Sequence, residues 1–193
     1  NWYSFLVLAD KALYDAFSVA NATRLPLVLF ASMDGMLHAI ISNATNISHA
    51  KNGEEAWAFV PPYVAANMKA DYQATQATGK LTITSYPDGS PGLLDFKKAS
   101  GEIATAAIVS DGVGGSSVTV LDVTDTIDAS SFSVAGKGPD PLWSHQPGGA
   151  AAGLARSKPG VARTKIGGAE TYVVVAGTGI LATDSTKGRI VAG

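Results

Sequence analysis

Short runs of apolar residues separated by glycine-rich turns set the rhythm of this chain. Residues 27–30 form an apolar run, Met33-Asp34-Gly35 is a turn signal, and residues 36–41 form a second run. Asp-Gly between two such runs predicts a β-hairpin, because glycine supplies the positive φ that a tight turn needs. A further turn at Lys51-Asn52-Gly53 leads into residues 54–60, where Trp57 and Phe59 alternate with charged or small residues as on a third strand. Pro61-Pro62 ends that strand, since proline offers no ladder donor, and residues 63–72 suit a short surface helix. Residues 81–85 alternate Leu81 and Ile83 with hydroxyl side chains, which predicts a half-buried strand before the turn Tyr86-Pro87-Asp88-Gly89. Ahead of all this, residues 5–8 suit a buried strand, and Leu13, Tyr14, Phe17 and Ala20 fall at helical spacing.

The same grammar then returns twice. Residues 105–109 are apolar, 111–115 form a glycine turn, 117–123 alternate, and Pro141-Leu142-Trp143 follows a loop. A third copy runs through 172–176, turns at Gly177-Thr178-Gly179, continues over 180–183 and turns again at 185–188. Phe30, Val109 and Val175 mark equivalent strand ends. Their spacing exceeds the roughly 40 to 50 residues of common propeller blades, so the loops carry insertions. Strand, glycine turn, strand, turn and a strand bearing tryptophan describes a four-stranded blade locked to its neighbour by the indole. Burying such a ring removes about 150 to 250 Å² from water.

Composition agrees with a turn-rich β protein. The 193 residues include 21 glycines and 9 prolines, and only 16% are charged, against about 25% in an average domain. Fourteen basic against sixteen acidic residues leave a net charge of -2, too weak a field to gather nucleic acid. Cysteine is absent, which removes disulfides, thiolate metal sites and cysteine nucleophiles together. No apolar stretch approaches the roughly 18 residues that span a bilayer. The chain opens on Asn1 without a basic, apolar leader, as expected of a processed protein or a piece of a longer one.

Residues 24–39, with Met33-Asp34-Gly35-Met36-Leu37-His38-Ala39, followed by Gly53-Glu54-Glu55-Ala56-Trp57-Ala58-Phe59-Val60-Pro61, resemble the opening blade of the PilY/PilC β-propeller, the C-terminal domain of type IV pilus tip proteins. Asp88-Gly89-Ser90-Pro91, the stretch from Gly112 to Leu121-Asp122-Val123-Thr124-Asp125, Leu142-Trp143 and residues 173–179 continue the resemblance in order. It implies an all-β fold: a partial β-propeller of four-stranded, quinoprotein-like blades with long loops and a few short helices. The expected division is an N-terminal segment (1–23), a first blade and following strand (24–89), a second blade (90–156) and a third, incomplete one (157–193). The blade signature falls on Asp34, Gly35, His38, Trp57, Pro61, Asp88, Gly89 and Trp143. Such a domain normally has about seven blades, and three to four leave unpaired sheet edges.

No catalytic set stands out from the sequence. His38 lies within a strand pattern that predicts a packed or hydrogen-bonded ring, and His49 and His145 fall in polar loops. No Gly-x-Ser-x-Gly elbow is present. The glycine runs are not followed by Gly-Lys-Ser/Thr and read as hairpin turns, not phosphate cradles. Asp34, Asp88, Asp111, Asp122 and Asp125 border turns or strand ends, where a carboxylate accepts backbone N–H groups. Asp122, Asp125 and Asp128 are the candidate metal ligands, calcium being the ion their oxygens would suit, although their spacing of three departs from the alternate-position calcium loop.

The resemblance therefore implies a noncatalytic module outside the cell, at the bacterial outer envelope, acting in pilus assembly, adhesion or filament interaction. Its expected partners are pilus or filament proteins, further copies of itself, or a host or surface ligand, with no nucleic acid and no membrane span. Two other readings share the blade grammar: a structural filament subunit assembling by strand addition, and a quinoprotein-like dehydrogenase fragment.

Overall fold

The computed structural model describes residues 10–45, 51–112, 115–126, 138–146, 158–177 and 190–192. Among these residues two helices, α1 (Lys11–Ala20) and α2 (Pro62–Thr78), accompany ten strands: β1 (Leu27–Ala31), β2 (Leu37–Ile41), β3 (Glu55–Phe59), β4 (Gly92–Lys97), β5 (Ile103–Ser110), β6 (Val118–Asp122), β7 (Asp140–His145), β8 (Gly160–Ile166), β9 (Ala169–Gly177) and β10 (Ile190–Ala192). They form three antiparallel meanders: β1-β2-β3, β4-β5-β6-β7 and β8-β9-β10. Among the described residues only the second sheet has the four strands that the blade pattern predicts, and no closed ring forms. The expected strand over 5–8 and the turns and strand over 178–188 lie outside the described residues.

The first hairpin forms where the Asp-Gly signal placed it. Ser32 and Met36 close a short loop through N–H to O=C at 3.0 Å, the Asp34 carboxylate accepts the Met36 N–H at 3.0 Å, and Gly35 takes φ 97°. Leu27 then faces Ile41 and Phe30 faces His38 across the ladder. Gly53, at φ 85°, lets the next connection return so that Ala39 opposes Trp57, with a bulge between Ala39 and Ile40.

The middle sheet lies between the other two. Every residue of β5 and β6 is buried, because the two faces of these strands meet different neighbours. Ala107, Val109 and Leu121 pack against Leu37, Ala39, Ile41 and Trp57 of the first sheet. Ala106, Ile108, Val118 and Val120 pack against Val174 and Ala176 of the third. Period-two alternation sends neighbouring residues to opposite faces, so a strand covered on both sides reads as a continuous apolar run.

Polar struts reinforce the stack. Asp10 accepts from Lys97 Nζ at 2.7 Å and from the Arg163 guanidinium at 3.2 Å, joining α1, the second sheet and the third. The Lys97 ammonium, the largest influence, and Arg163 hold the Asp10 carboxyl below the ordinary carboxylate range against the opposing effect of burial. Arg163 also pairs with Glu170 and lies over the Tyr172 ring, while the Tyr172 hydroxyl accepts the Lys97 N–H at 3.1 Å. At the other end of the stack, Arg24 donates to Thr105 Oγ1 at 3.1 Å and to the Thr124 carbonyl at 3.3 Å.

Residues 81–85 and α2 differ from the sequence expectation, and β4 and β8 fall where no strand was expected. Residues 81–85 are not a strand: they run back beside α2, with the Thr82 N–H held by Thr75 Oγ1 at 2.9 Å and the Thr84 N–H by the Asp71 carboxylate at 2.9 Å. Side-chain acceptors on the helix thus satisfy donors that a sheet partner would otherwise take. The helix is also longer than 63–72. Pro62 opens it, Pro61 packs fully buried at its cap, and Gly79 in the left-handed conformation ends it at φ 65°.

At Gly89 the backbone approaches Ser110 so closely that an added Cβ would sit 2.0 Å from Ser110 Oγ and 2.6 Å from the Ser110 carbonyl oxygen. Gly89→Ala should therefore cost about 3 kcal/mol in urea unfolding. Gly53→Ala, with positive φ but open space around it, should cost only about 1 to 2 kcal/mol. Equal losses would show that close approach does not govern the Gly89 position.

Candidate functional site

A cleft of about 540 Å³ lies between the first and second sheets. Leu27 and Leu29 of β1, Trp57 of β3 and Leu93 of β4 supply its apolar wall, with Arg24 and Asp125 among its polar lining. Trp57 is 5% exposed, and its indole N–H has no acceptor among the described residues. A buried donor without a partner typically costs about 1 to 3 kcal/mol. It is therefore the polar feature of this cleft that most needs an explanation.

The first sheet carries a second polar group on its other face. His38 Nδ1 lies 2.6 Å from Glu55 Oε2, Nε2 lies 2.8 Å from Asp34 Oδ2, and the ring stacks on Phe30 at 5.0 Å. Both ring nitrogens face carboxylates, an arrangement that favours the doubly protonated imidazolium. Burial, the largest single influence, pulls the His38 pKa down, but the hydrogen bonds to Glu55 and Asp34 together raise it above its ordinary value. Such a clamp pins the hairpin turn to β3. It holds no nucleophile, and its two acids are spent on the imidazolium.

The remaining signature residues are structural in their contacts. The Asp88 N–H donates to the Asp111 carbonyl and the Gly89 N–H to the Ser110 carbonyl, each at 3.0 Å, which docks the Asp88-Gly89 turn onto the end of β5. The Asp111 carboxylate accepts the Ser117 N–H at 2.9 Å and the Ser117 hydroxyl at 2.6 Å. Burial, outweighing those hydrogen bonds, pushes the Asp111 pKa up. Trp143 lies on the outer strand β7, opposite Val120, and is 37% exposed, in contrast to the sealed ring of Trp57.

Of the candidate metal ligands, Asp122 and Asp125 line one further pocket of about 420 Å³ together with Lys98, Glu102 and Asp140. Asp122 is already engaged: Lys98 Nζ sits 2.5 Å away, and the Thr124 N–H and hydroxyl donate to its other oxygen at 2.9 and 2.6 Å. Burial raises its pKa, yet Lys98 and Thr124 together bring it below the ordinary range. An ammonium in direct contact fills the place a cation would take. Asp128 and His49 lie outside the described residues, and no cluster of three or more potential ligands occurs among the described ones. His145 lies at the end of β7.

Sequence reasoning did not find Arg24, Leu29 or Leu93 as cleft residues, nor the Lys98–Asp122 pair. The alternation of β1 was visible, but which face meets another sheet depends on contacts remote in sequence. The partners of His38 were in principle legible, since Asp34 is four residues away across a hairpin turn and Glu55 lies on the next strand.

Two outcomes follow for these groups. Trp57→Phe should retain stability within about 1 kcal/mol, since the ring remains and the orphan donor is removed, whereas Trp57→Ala should lose about 3 to 5 kcal/mol; urea midpoints compare them. For His38, a folded-state pKa above the unfolded one makes its stabilisation complete below about pH 6.5, the unfolded value, and lost as pH rises through the folded pKa. The stability difference between the wild type and His38→Gln should therefore shrink from pH 6 to pH 9, and a constant difference would show that the imidazolium clamp contributes nothing.

No protein-family model matches the chain, and no curated protein matches it. Among solved structures, the Pseudomonas aeruginosa PilY1 C-terminal domain is similar: 25% of residues are identical, the TM-score is 0.62, and the alignment covers 98% of this chain but 32% of that one. The chain thus spans about a third of the structure it matches, and its fold is similar to that part of the PilY1 C-terminal domain.

Proposed function

We propose that this chain is a noncatalytic, cell-surface module of a type IV pilus system, acting in pilus assembly, adhesion or filament interaction. The observation that carries this reading is the likeness to the PilY1 C-terminal domain over 98% of the chain, at a TM-score of 0.62. The order of blade motifs in the sequence supports it independently. In this reading the three stacked meanders are successive blades of a larger propeller, consistent with the chain matching 32% of the PilY1 domain's length. The contacts of the polar residues point the same way: His38, Asp88, Asp111 and Asp122 are each engaged in hydrogen bonds or ion pairs that hold turns and strands together. Pilus or filament proteins are the proposed partners.

The reading is tested in the bacterium that encodes the chain. Deleting the coding region for these residues in frame should abolish or sharply reduce surface pili, counted by electron microscopy, or the adherence that pili confer. Unchanged piliation and unchanged adherence together would overturn it.

A further inference from the structure

Asn-x-Ser/Thr triplets, the acceptor pattern for N-linked glycans, occur at Asn21-Ala22-Thr23, Asn43-Ala44-Thr45 and Asn46-Ile47-Ser48. Such triplets arise easily by chance, so the surroundings of each decide whether it can act. The third lies outside the described residues, and the structure separates the first two.

Asn21 follows the last turn of α1. Its Nδ2 donates to the Phe17 carbonyl at 2.8 Å, and its backbone N–H donates to the same oxygen at 3.0 Å. The side chain is half-buried. The nitrogen that would carry a sugar is thus spent on closing the helix, where it satisfies a carbonyl that has no partner within the helix itself.

Asn43 stands on the loop that leaves β2, and both Asn43 and Thr45 are exposed. The chain on either side of Asn43 is held in place. The Ser42 N–H donates to the Pro26 carbonyl at 3.0 Å, the Ala44 N–H donates to Asn52 Oδ1 at 2.7 Å, and Ala44 packs against the core between the first and second sheets. Within the triplet, the Thr45 N–H donates to Asn43 Oδ1 at 3.0 Å and the Thr45 hydroxyl donates to the same oxygen. This Asx turn directs Oδ1 at the turn and leaves Nδ2 on the opposite side of the carboxamide. An amide nitrogen is a weak nucleophile because its lone pair is shared with the carbonyl. Two donors on Oδ1 make the Nδ2 protons more acidic and ease the loss of one during attack.

We propose that Asn43 is an attachment site for an N-linked glycan, its Nδ2 accepting a sugar from a glycosyl diphosphate donor. In that transfer Nδ2 bonds to the anomeric carbon, the bond from that carbon to the diphosphate oxygen breaks, and the diphosphate leaves with the bonding pair. One Nδ2 proton passes to a base of the transferase. Both hydrogen bonds to Oδ1 survive the transfer, so the loop keeps its conformation beneath the glycan. The assignment goes beyond the pilus reading and does not rest on it: the sugar is read by mass and piliation by microscopy, and either can fail alone.

The test is mass spectrometry of the protein purified from the bacterium that encodes it. Trypsin cuts after Lys11, Arg24 and Lys51, which places Asn21 in the peptide 12–24 and Asn43 with Asn46 in the peptide 25–51. The second peptide should carry the mass of at least one hexose or N-acetylhexosamine residue, electron-transfer fragmentation should place it on Asn43, and the first peptide should be unmodified. Asn43→Gln should abolish the addition, as should Thr45→Val, which keeps the shape of threonine without its hydroxyl, whereas Thr45→Ser should retain it. Four results would overturn the proposal: an unmodified peptide 25–51 in the native protein, a sugar on Asn46 alone, an addition at Asn43 that survives Thr45→Val, and equal modification of Asn21 and Asn43, which would mean that the helix-end hydrogen bond and the Asx turn select nothing.

Discussion

Burial of the middle sheet on both faces is the constraint from which the rest of the molecule follows. β5 and β6 have no solvent-facing side, so Ala107, Val109 and Leu121 require the first sheet while Ala106, Ile108, Val118 and Val120 require the third. Each buried aliphatic side chain contributes about 1.5 to 3 kcal/mol, and alanines at 104, 106 and 107 keep the sheets close. Neither outer sheet has an equivalent cover on its far side among the described residues: Val28 and Phe30 are 53% and 43% exposed, and Ile166 is 59% exposed. Among the described residues the stack is thus saturated at its centre and open at both ends.

The polar network serves that stack. Asp10, Lys97, Arg163 and Tyr172 join the second and third sheets at one end, and Arg24 with Thr105 and the Thr124 carbonyl joins the first and second at the other. Between these struts the sheets pack through two apolar clusters, and the cleft lined by Trp57 lies between the first and second sheets.

The strand and turn plan was largely legible in the sequence because its signals are local. Asp34-Gly35 and Asn52-Gly53 allow backbone angles that other residues resist, and the runs they separate have the period of strands. The reading failed at residues 81–85, where alternation was sound but the partners were Asp71 and Thr75 on a helix instead of a neighbouring strand. The cation candidates show the same limit. Asp122 and Asp125 do come to one pocket, but Lys98, from the end of β4, had already taken the Asp122 carboxylate.

The sequence alone determined that the protein is mostly β and where the turns at Asp34-Gly35 and Asn52-Gly53 fall, although it did not reveal β4 or β8. These are properties of local backbone preference and side-chain periodicity. Only the tertiary structure decided that the middle sheet is covered on both faces, that Trp57 is sealed while Trp143 is partly exposed, and that His38 is clamped by two carboxylates. Each of these depends on which distant segments meet, and contact between segments far apart in the chain leaves no periodic signal in either one.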